Sequence, residues 1–272
     1  KIFHEVLPEV CINSDSKRLY WPSSPGYTTK LPKNNQIYGS GDNHYWGVWH
    51  GGDGFDAFEK NIGRFLSEYG MQSFPEMATI MKFADKEDLD INSEVMLARQ
   101  KASLGTGNLI KYIKDYLTMQ SDFATLVVSS QITQALAIKT AVETHRRSMP
   151  FCMGTLYWQF NDCWPAISWS SLDYYGNWKA LHYHAKRFFK PIIILIHEKE
   201  EKVFFSVVND QHQKVILSIN ILVSTFDGTI LLQRTIDDLV SKFSSKEVFS
   251  FKKKEYFEDQ NNSDLFINAE II

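Results

Sequence analysis

The spacing of hydrophobic residues changes at Pro191, and this change limits the folds open to the chain. Before Pro191, short apolar runs alternate with stretches in which apolar residues recur every three or four positions, the pattern of strands joined by helices in a parallel sheet. The short runs predict strands near residues 20–22, 37–46, 65–68 and 153–160. The periodic stretches predict a long helix over about 121–147, with Ser121 or Asp122 as its cap, and a last helix over 177–189 with Asn177 as its cap. After it, β-branched and alternating runs follow one another between turn signals, at residues 192–196, 202–209, 214–224, 229–235, 247–251 and 265–272. The sequence therefore predicts an α/β domain over residues 1–191 and an all-β sandwich over residues 192–272, whether or not that sandwich is complete within them.

Glu68 lies where a short strand should stop. Phe65 and Leu66 form the apolar run, Gly70 interrupts it, and Pro75 opens a new element. In an α/β barrel the side chains at the carboxyl ends of strands face the ligand, so a carboxylate here is a candidate catalytic group. The alternative from this residue alone is a structural glutamate in a salt bridge.

A second stretch, residues 37–54, contains six glycines and places His44 and Trp46 among further aromatic and polar residues. Glycines let the backbone bend and approach a ligand, and mixed aromatic and polar side chains are typical of a sugar pocket. A flexible surface loop is the alternative interpretation.

Two stretches carry a resemblance to a known family. They are Ser-Glu-Tyr-Gly-Met-Gln-Ser-Phe-Pro at residues 67–75 and Tyr-Trp-Gln-Phe-Asn-Asp-Cys-Trp-Pro at residues 157–165. In these two motifs, and more broadly from about residue 20 to residue 191, the chain resembles β-mannosidase of glycoside hydrolase family 2. The resemblance implies a fold that is α/β followed by all-β: a partial (β/α)₈ TIM barrel with strands five to eight, then an immunoglobulin-like β-sandwich. The first half of the barrel is expected upstream of Lys1.

The resemblance implies a retaining exo-β-mannosidase, which hydrolyses terminal non-reducing β-D-mannose residues through a covalent glycosyl-enzyme intermediate, with Glu68 as nucleophile. Such enzymes need two carboxyl groups about 5 to 5.5 Å apart. The family carries its acid/base residue in an Asn-Glu pair, and no such pair occurs in this sequence. Asp42 and Asp162 fall in loops that look too polar for a general acid. The acid/base is therefore expected upstream, and the chain alone is expected to be inactive.

The resemblance also implies a set of sugar-binding side chains. Trp158 would be the aromatic platform beneath the reacting sugar, and two side chains at the end of the sixth barrel strand would assist it. From the residues alone, Trp158 could equally belong to the core, and a lone histidine between aromatics is usually structural. The predicted substrate-binding residues are Trp158, His44, Trp46, Asn161, Asp162 and Trp164.

Composition argues against several other classes. The net charge of −3 gives no basic surface for nucleic acid, and no apolar run reaches the length of a membrane span. No dinucleotide or phosphate-binding glycine motif is present, and no cofactor is expected. The spacing of His182 and His184 resembles a ligand pair, but on a helix their rings would diverge, so no metal is expected. The cysteines Cys11, Cys152 and Cys163 are interpreted as buried thiols.

The expected partner is a β-mannoside oligosaccharide, with no nucleic acid and no membrane. The open sheet edge of a half-barrel would favour pairing with another chain, so a homo-oligomer remains open. By family habit the compartment would be the periplasm or outside of a bacterial cell, or the lysosome of an animal cell. Two alternatives remain: another family 2 glycosidase (β-galactosidase, β-glucuronidase or exo-glucosaminidase), or a carbohydrate-binding piece without catalysis.

Overall fold

The computed structural model of the protein describes residues 1–25, 41–118, 122–257 and 264–272. They form two compact units. The first comprises Lys1–Thr144 and Cys152–Lys186, and the second comprises His145–Phe151 and Arg187–Ile272. The domain boundary drawn at Pro191 stays a prediction.

The first unit contains a small parallel sheet. Strand β1 (Asn43–His44) pairs in parallel with strand β2 (Leu66–Glu68), and His44 lies opposite Glu68. On the other side of β2, Leu66 forms a parallel bridge with Thr155. Because parallel segments point the same way, the residues that follow all three lie at one edge of the sheet.

Two of the strands predicted for this unit are not regular strands in the structure. No strand forms at residues 20–22, where Pro22 has no N–H to donate to a ladder. Residues 153–160 contribute only the bridge at Thr155, although the N–H groups of Leu156 and Trp158 donate to the carbonyls of Leu66 and Tyr69. Of the strand predicted at 37–46, residues 37–40 lie outside the described residues. A barrel half with strands five to eight is therefore not established by these strands.

Helices precede, connect and follow these strands along the chain. Helix α6 begins after Asp122, whose carboxylate accepts a hydrogen bond from the backbone N–H of Thr125, as the sequence predicts for a helix cap. A π-helical turn at Ile2–Val6 precedes α1, and a 3₁₀ turn at Lys86–Asp88 precedes α4. The helices up to Pro191 are α1 Leu7–Ser14, α2 Ala57–Lys60, α3 Met77–Ile80, α4 Glu94–Arg99, α5 Gly105–Tyr116, α6 Phe123–Arg147 and α7 Ala180–Phe188.

Helix α7 begins later than the sequence predicts. The predicted cap, Asn177, instead donates its backbone N–H to Asp173, while Leu172 forms a bridge with Trp178. The first N–H of the helix, that of Ala180, is accepted by the side-chain oxygen of Gln131 on α6. The cap therefore comes from a residue far away in sequence, which local patterning could not indicate.

The second unit is a β-sandwich, as predicted. One antiparallel sheet has the order β3-β4-β7 and the other the order β6-β5-β8. Alternate residues of β4 and β5 point into a common core with Phe251 and Val240, and the buried members on those two strands are Val203, Phe205, Val207, Ile219, Ile221 and Val223. The strands are β3 Ile192–Lys199, β4 Lys202–Asn209, β5 Val215–Thr225, β6 Ile230–Val240, β7 Ser244–Lys252 and β8 Leu265–Ile271, with helix α8 Lys254–Phe257 before the last.

The three cysteines are free thiols, as expected, but only Cys152 is buried. Cys11 is half-buried and Cys163 is exposed, so the prediction that all three are buried is wrong for these two. No helix within the described ranges is long and apolar enough to cross a membrane.

Candidate active site at the end of strand β2

The predicted nucleophile, Glu68, ends strand β2 with one carboxylate oxygen held in place. Its Oε2 accepts a hydrogen bond of 2.9 Å from the indole Nε1 of Trp46 and lies 3.0 Å from Nδ1 of His44. Among the described residues no hydrogen-bond donor is found for Oε1. The side chain is 22% exposed, so that the carboxylate is held through one oxygen while part of the side chain stays accessible.

His44 connects Glu68 to a second carboxylate, Asp42. Its other ring nitrogen, Nε2, lies 3.1 Å from the hydroxyl oxygen of Ser24 and 3.7 Å from Asp42 Oδ2. The hydroxyls of Ser24 and Ser67 both donate to that same Asp42 oxygen. Because each serine has given its only proton to Asp42, the Ser24 oxygen is left to accept from His44.

His44 thus contacts Glu68 through one ring nitrogen and Ser24 through the other. Together with the indole N–H of Trp46, it fixes the direction of the Glu68 carboxylate.

Gly70 brings three tryptophans together beside Glu68. A Cβ atom at this position would lie 2.4 Å from the carbonyl oxygen of Trp158, 2.9 Å from the ring of Trp46 and 3.1 Å from the ring of Trp169. Trp158 is 45% exposed, and its peptide bond to Gln159 is cis. The Trp46 and Trp169 rings meet edge to face, with centroids 6.2 Å apart. The structure thus brings the backbone of Trp158 against Gly70, two residues after the predicted nucleophile.

Asn161 and Asp162 follow Trp158 but have different surroundings. Asn161 is exposed, whereas Asp162 is only 7% exposed. Asp162 Oδ2 accepts hydrogen bonds from the hydroxyls of Ser168 at 2.7 Å and Ser170 at 2.6 Å. Its carboxylate therefore fastens the turn after Trp158 to a neighbouring segment.

Trp164 lies in a cluster of cations. The guanidinium of Arg99 is 4.6 Å from the centroid of its ring, the ammonium of Lys101 is 5.5 Å away, and Arg99 also lies over Phe83. These contacts hold the ring by cation–π attraction. Trp164 remains 36% exposed, so part of its ring is open to a ligand.

A buried polar layer supports the segments that carry these side chains. Gln134 of α6 donates its amide hydrogens to the carbonyls of Met71, Trp169 and Ser170, at 2.8, 3.1 and 3.2 Å. Lys179 is fully buried and donates to backbone carbonyls on both sides of the bridge between Ser73 and Ser168. Burial lowers the pKa of Lys179 to about 8, against the opposing effect of nearby carboxylates.

The sequence did not single out Trp169, Ser24 or Gly70 as parts of the site. Alternation in the run from Ile167 to Ser170, apolar then polar, was the available signal that Trp169 faces the tryptophan cluster. Ser24 precedes a stretch outside the described residues and carries no pattern of its own. Across the described residues, no group of three or more His, Cys, Asp or Glu side chains is arranged to hold a metal ion.

Comparison with protein-family models identifies one match, the mannosidase Ig/CBM-like domain, over residues 201–272. Among curated proteins, the chain is 34% identical over 218 residues to β-mannosidase B of Aspergillus flavus and covers 25% of that protein. It is 32% identical over 234 residues to β-mannosidase of Rattus norvegicus and covers 26% of it. Each alignment includes 78% of this chain. The chain thus spans about a quarter of the length of these relatives.

Among solved structures, a β-D-mannosidase from Dictyoglomus thermophilum superposes on 99% of this chain with a TM-score of 0.90 and 37% identity, and the chain covers 32% of it. The exo-chitosanase CsxA of Amycolatopsis orientalis matches 77% of the chain with a TM-score of 0.59 and 16% identity, and the chain covers 28% of it. The second likeness shows a shared fold alone.

Proposed function

The chain belongs to the β-mannosidases of glycoside hydrolase family 2, as a C-terminal part of such an enzyme, and on this premise we propose that it supplies the nucleophile and part of the sugar pocket of a retaining exo-β-mannosidase. The substrate is the terminal non-reducing β-D-mannose of an oligosaccharide. The single observation that carries this proposal is the carboxylate of Glu68, which is held through Oε2 by Trp46 and His44 at the end of β2.

In the proposed reaction, an oxygen of Glu68 attacks the anomeric carbon of mannose as the glycosidic bond breaks. The departing oxygen takes a proton from a carboxylic acid, and a mannosyl ester of Glu68 results. Water then attacks that ester, giving its proton back to the acid/base carboxylate and releasing mannose. Trp46 and His44 orient the nucleophile in both steps because they bind the same carboxylate oxygen, Oε2.

The acid/base carboxyl is proposed to lie outside these 272 residues. The chain spans about a quarter of the relatives' length, and Asp42 is already bonded to Ser24, Ser67 and the His44 ring. By the same argument, β1, β2 and the segment at Thr155 would be neighbouring strands of a (β/α)₈ barrel whose other strands lie elsewhere in the full-length enzyme. The chain alone is then expected not to hydrolyse an aryl β-mannoside.

The remaining predicted site residues divide by their surroundings. Trp158 is proposed as the platform beneath the reacting sugar, and Trp164 and Asn161 as contacts at the rim, because all three have exposed surface. Asp162 is proposed to position the turn that carries Trp158, since its carboxylate is bonded to buried hydroxyls. A β-mannoside oligosaccharide is the proposed partner. The compartment and the oligomeric state stay predictions.

The test uses the full-length enzyme and 2-deoxy-2-fluoro-β-D-mannosyl fluoride, which should leave a stable ester on the nucleophile. Mass spectrometry of the digested protein is expected to find the label on Glu68, and Glu68→Gln is expected to lower kcat for an aryl β-mannoside by about 10³-fold or more. Exposed Glu9→Gln on α1 is the matched control and should keep wild-type turnover. A label on another carboxylate, or turnover by Glu68→Gln within tenfold of wild type, would contradict the assignment.

A panel of aryl β-glycosides tests the substrate class with the same preparation. The expected result is a higher kcat/KM for the mannoside than for the galactoside, glucuronide or glucosaminide. Faster hydrolysis of any of the others would assign the chain to that activity of the family instead.

A further inference from the structure

A second pocket in the first unit has no part in the chemistry described above. It encloses about 900 Å³ at the start of α7, and its lining includes Glu76, Gln131, Asn177, Trp178 and Tyr183. None of these residues contacts the Glu68 carboxylate.

Two aromatic rings line this pocket and present open surface. Trp178 is 37% exposed and Tyr183 is 51% exposed, with ring centroids 5.0 Å apart and planes inclined at 60°. His182 packs edge to face against Trp178 at 4.5 Å and supports it from behind. Aromatic side chains with an apolar face and a polar tip suit a ligand that is itself apolar on one face and polar at its edge, as a pyranose ring is.

Four polar groups around these rings have no hydrogen-bond partner among the described residues. They are the Glu76 carboxylate, the amide oxygen of Asn177, the indole N–H of Trp178 and the hydroxyl of Tyr183. The first two accept hydrogen bonds, the third donates, and the last does both. Neighbouring hydroxyl groups on a sugar also donate and accept, so they can satisfy this set together.

The pocket wall is held in place before any ligand binds. Asn177 donates both amide hydrogens, to Thr79 at 3.0 Å and to Asp173 at 3.1 Å, which fixes the direction of its amide oxygen. Asp173 is buried and also accepts the backbone N–H groups of Tyr175 and Asn177, so that it closes the turn. Gly176 completes the turn with φ +82. A preorganised site loses less entropy on binding.

The polar lining favours a neutral polyol over a peptide or an anion. An apolar peptide segment over the rings would leave the Glu76 carboxylate desolvated without a donor, which is costly. An anionic ligand would be repelled by that carboxylate, and the ammonium of Lys186 lies as far as 6.0 Å from the centroid of the Trp178 ring. We propose that this Trp178–Tyr183 pocket is a second saccharide-binding site, which holds a neutral segment of a polysaccharide away from Glu68.

The test is affinity gel electrophoresis of the full-length protein in gels that contain soluble galactomannan, glucomannan or xylan. A long polysaccharide has few chain ends, so retardation reports binding within the chain and does not depend on the role of Glu68. Wild type is expected to be retarded by at least one of the three polymers. Trp178→Ala is expected to lose most of that retardation, and exposed Tyr183→Ala is expected to reduce it severalfold.

Tyr174→Ala is the matched control, because Tyr174 is 47% exposed yet does not line the pocket, and it should be retarded as wild type is. Circular dichroism of each variant checks the fold, and Tyr183→Ala carries the test if Trp178→Ala does not fold. Absence of retardation of wild type by all three polymers would overturn the proposal, as would equal retardation of wild type and both pocket variants.

Discussion

At the scale of single residues, the predicted nucleophile depends on its neighbours for direction. Trp46 and His44 both bind the same oxygen of Glu68, Oε2. A partner on the other oxygen would hold the carboxylate in a different orientation. Hydrogen bonds to a charged group are worth about 1.5–3 kcal/mol. Loss of either donor should therefore affect the reaction more than it affects stability.

We expect Trp46→Phe to lower kcat/KM of the full-length enzyme about 10–100-fold, because the ring remains while the N–H that orients Glu68 is lost. Trp49→Phe is the matched control, since the buried indole N–H of Trp49 has no hydrogen-bond partner among the described residues. Steady-state kinetics on an aryl β-mannoside measure both variants. An equal loss in the two would mean that ring packing, and not the hydrogen bond, matters.

Gly70 is the second residue at which a substitution tests the packing of the site. Gly70→Ala would place a methyl group 2.4 Å from the backbone oxygen of Trp158, and we expect a loss of about 1–3 kcal/mol in unfolding free energy with at least tenfold lower kcat/KM. Gly107→Ala on helix α5 is the control, because Gly107 is exposed and a Cβ there meets nothing within 4 Å, so that the substitution should stabilise the helix. Unchanged kinetics in Gly70→Ala would show that Trp158 need not stay in place.

At the scale of elements, helix α6 supports the segments that follow β2 and Thr155. Gln134 donates to Met71 on one segment and to Trp169 and Ser170 on the other, while Ser73 donates to its side-chain oxygen. One buried amide thus fastens two loops to a helix that neither loop adjoins in sequence. Its burial excludes water as a substitute partner.

Gln134→Leu keeps the size of this side chain but leaves buried carbonyls without their donor. We expect the free energy of unfolding of the first unit to fall by about 2–4 kcal/mol. Tryptophan fluorescence during urea unfolding measures this unit selectively, because all seven tryptophans belong to it. Exposed Val128→Ala on the same helix is the control and should change stability by about 0.5 kcal/mol or less. Equal stabilities of the two variants would contradict the supporting role.

At the scale of the whole molecule, acid should destabilise the second unit. Burial lowers the pKa of His145 to about 3 and that of His197 to about 4, the second with help from Arg147 and Lys199. Both histidines belong to the second unit. Unfolding releases them to a pKa near 6.5. The unfolded state therefore binds more protons between these values, and stability is lost as the pH falls from about 6.5 towards 4.

We expect the second unit to lose stability between pH 7 and pH 5, with His145 alone contributing up to about 1.4 kcal/mol per pH unit below 6.5. Urea unfolding followed by far-UV circular dichroism measures this at each pH. His145→Gln should flatten the pH dependence, whereas exposed His212→Gln in the same unit should keep it. A pH dependence that is the same in wild type and His145→Gln would show that the burial of His145 has no such effect.

The sequence predicts correctly those elements whose signals lie in neighbouring residues. The Asp122 cap of α6 and the alternation of Val203, Phe205 and Val207 along β4 are set by neighbouring residues. The sequence predicts the alternation and names Asp122 as one of two candidate caps. The start of α7 was missed because its first N–H is accepted by Gln131, a residue from another helix. The strand predicted at residues 20–22 does not form. Two aromatic residues favour a strand there, but Pro22 has no N–H to donate and no strand among the described residues pairs with the segment.

By itself the sequence determined the family resemblance, the β-sandwich after Pro191 and the position of Glu68 at the end of a strand, because motifs, alternation and breakers lie within a few residues of one another. Only the tertiary structure decided which side chains bind that carboxylate. His44 and Trp46 reach Glu68 through parallel pairing of β1 with β2, and Gly70 admits Trp158 through close packing. Such contacts join segments that are far apart in sequence and depend on distances of a few ångström. Patterns within a few neighbouring residues cannot predict them.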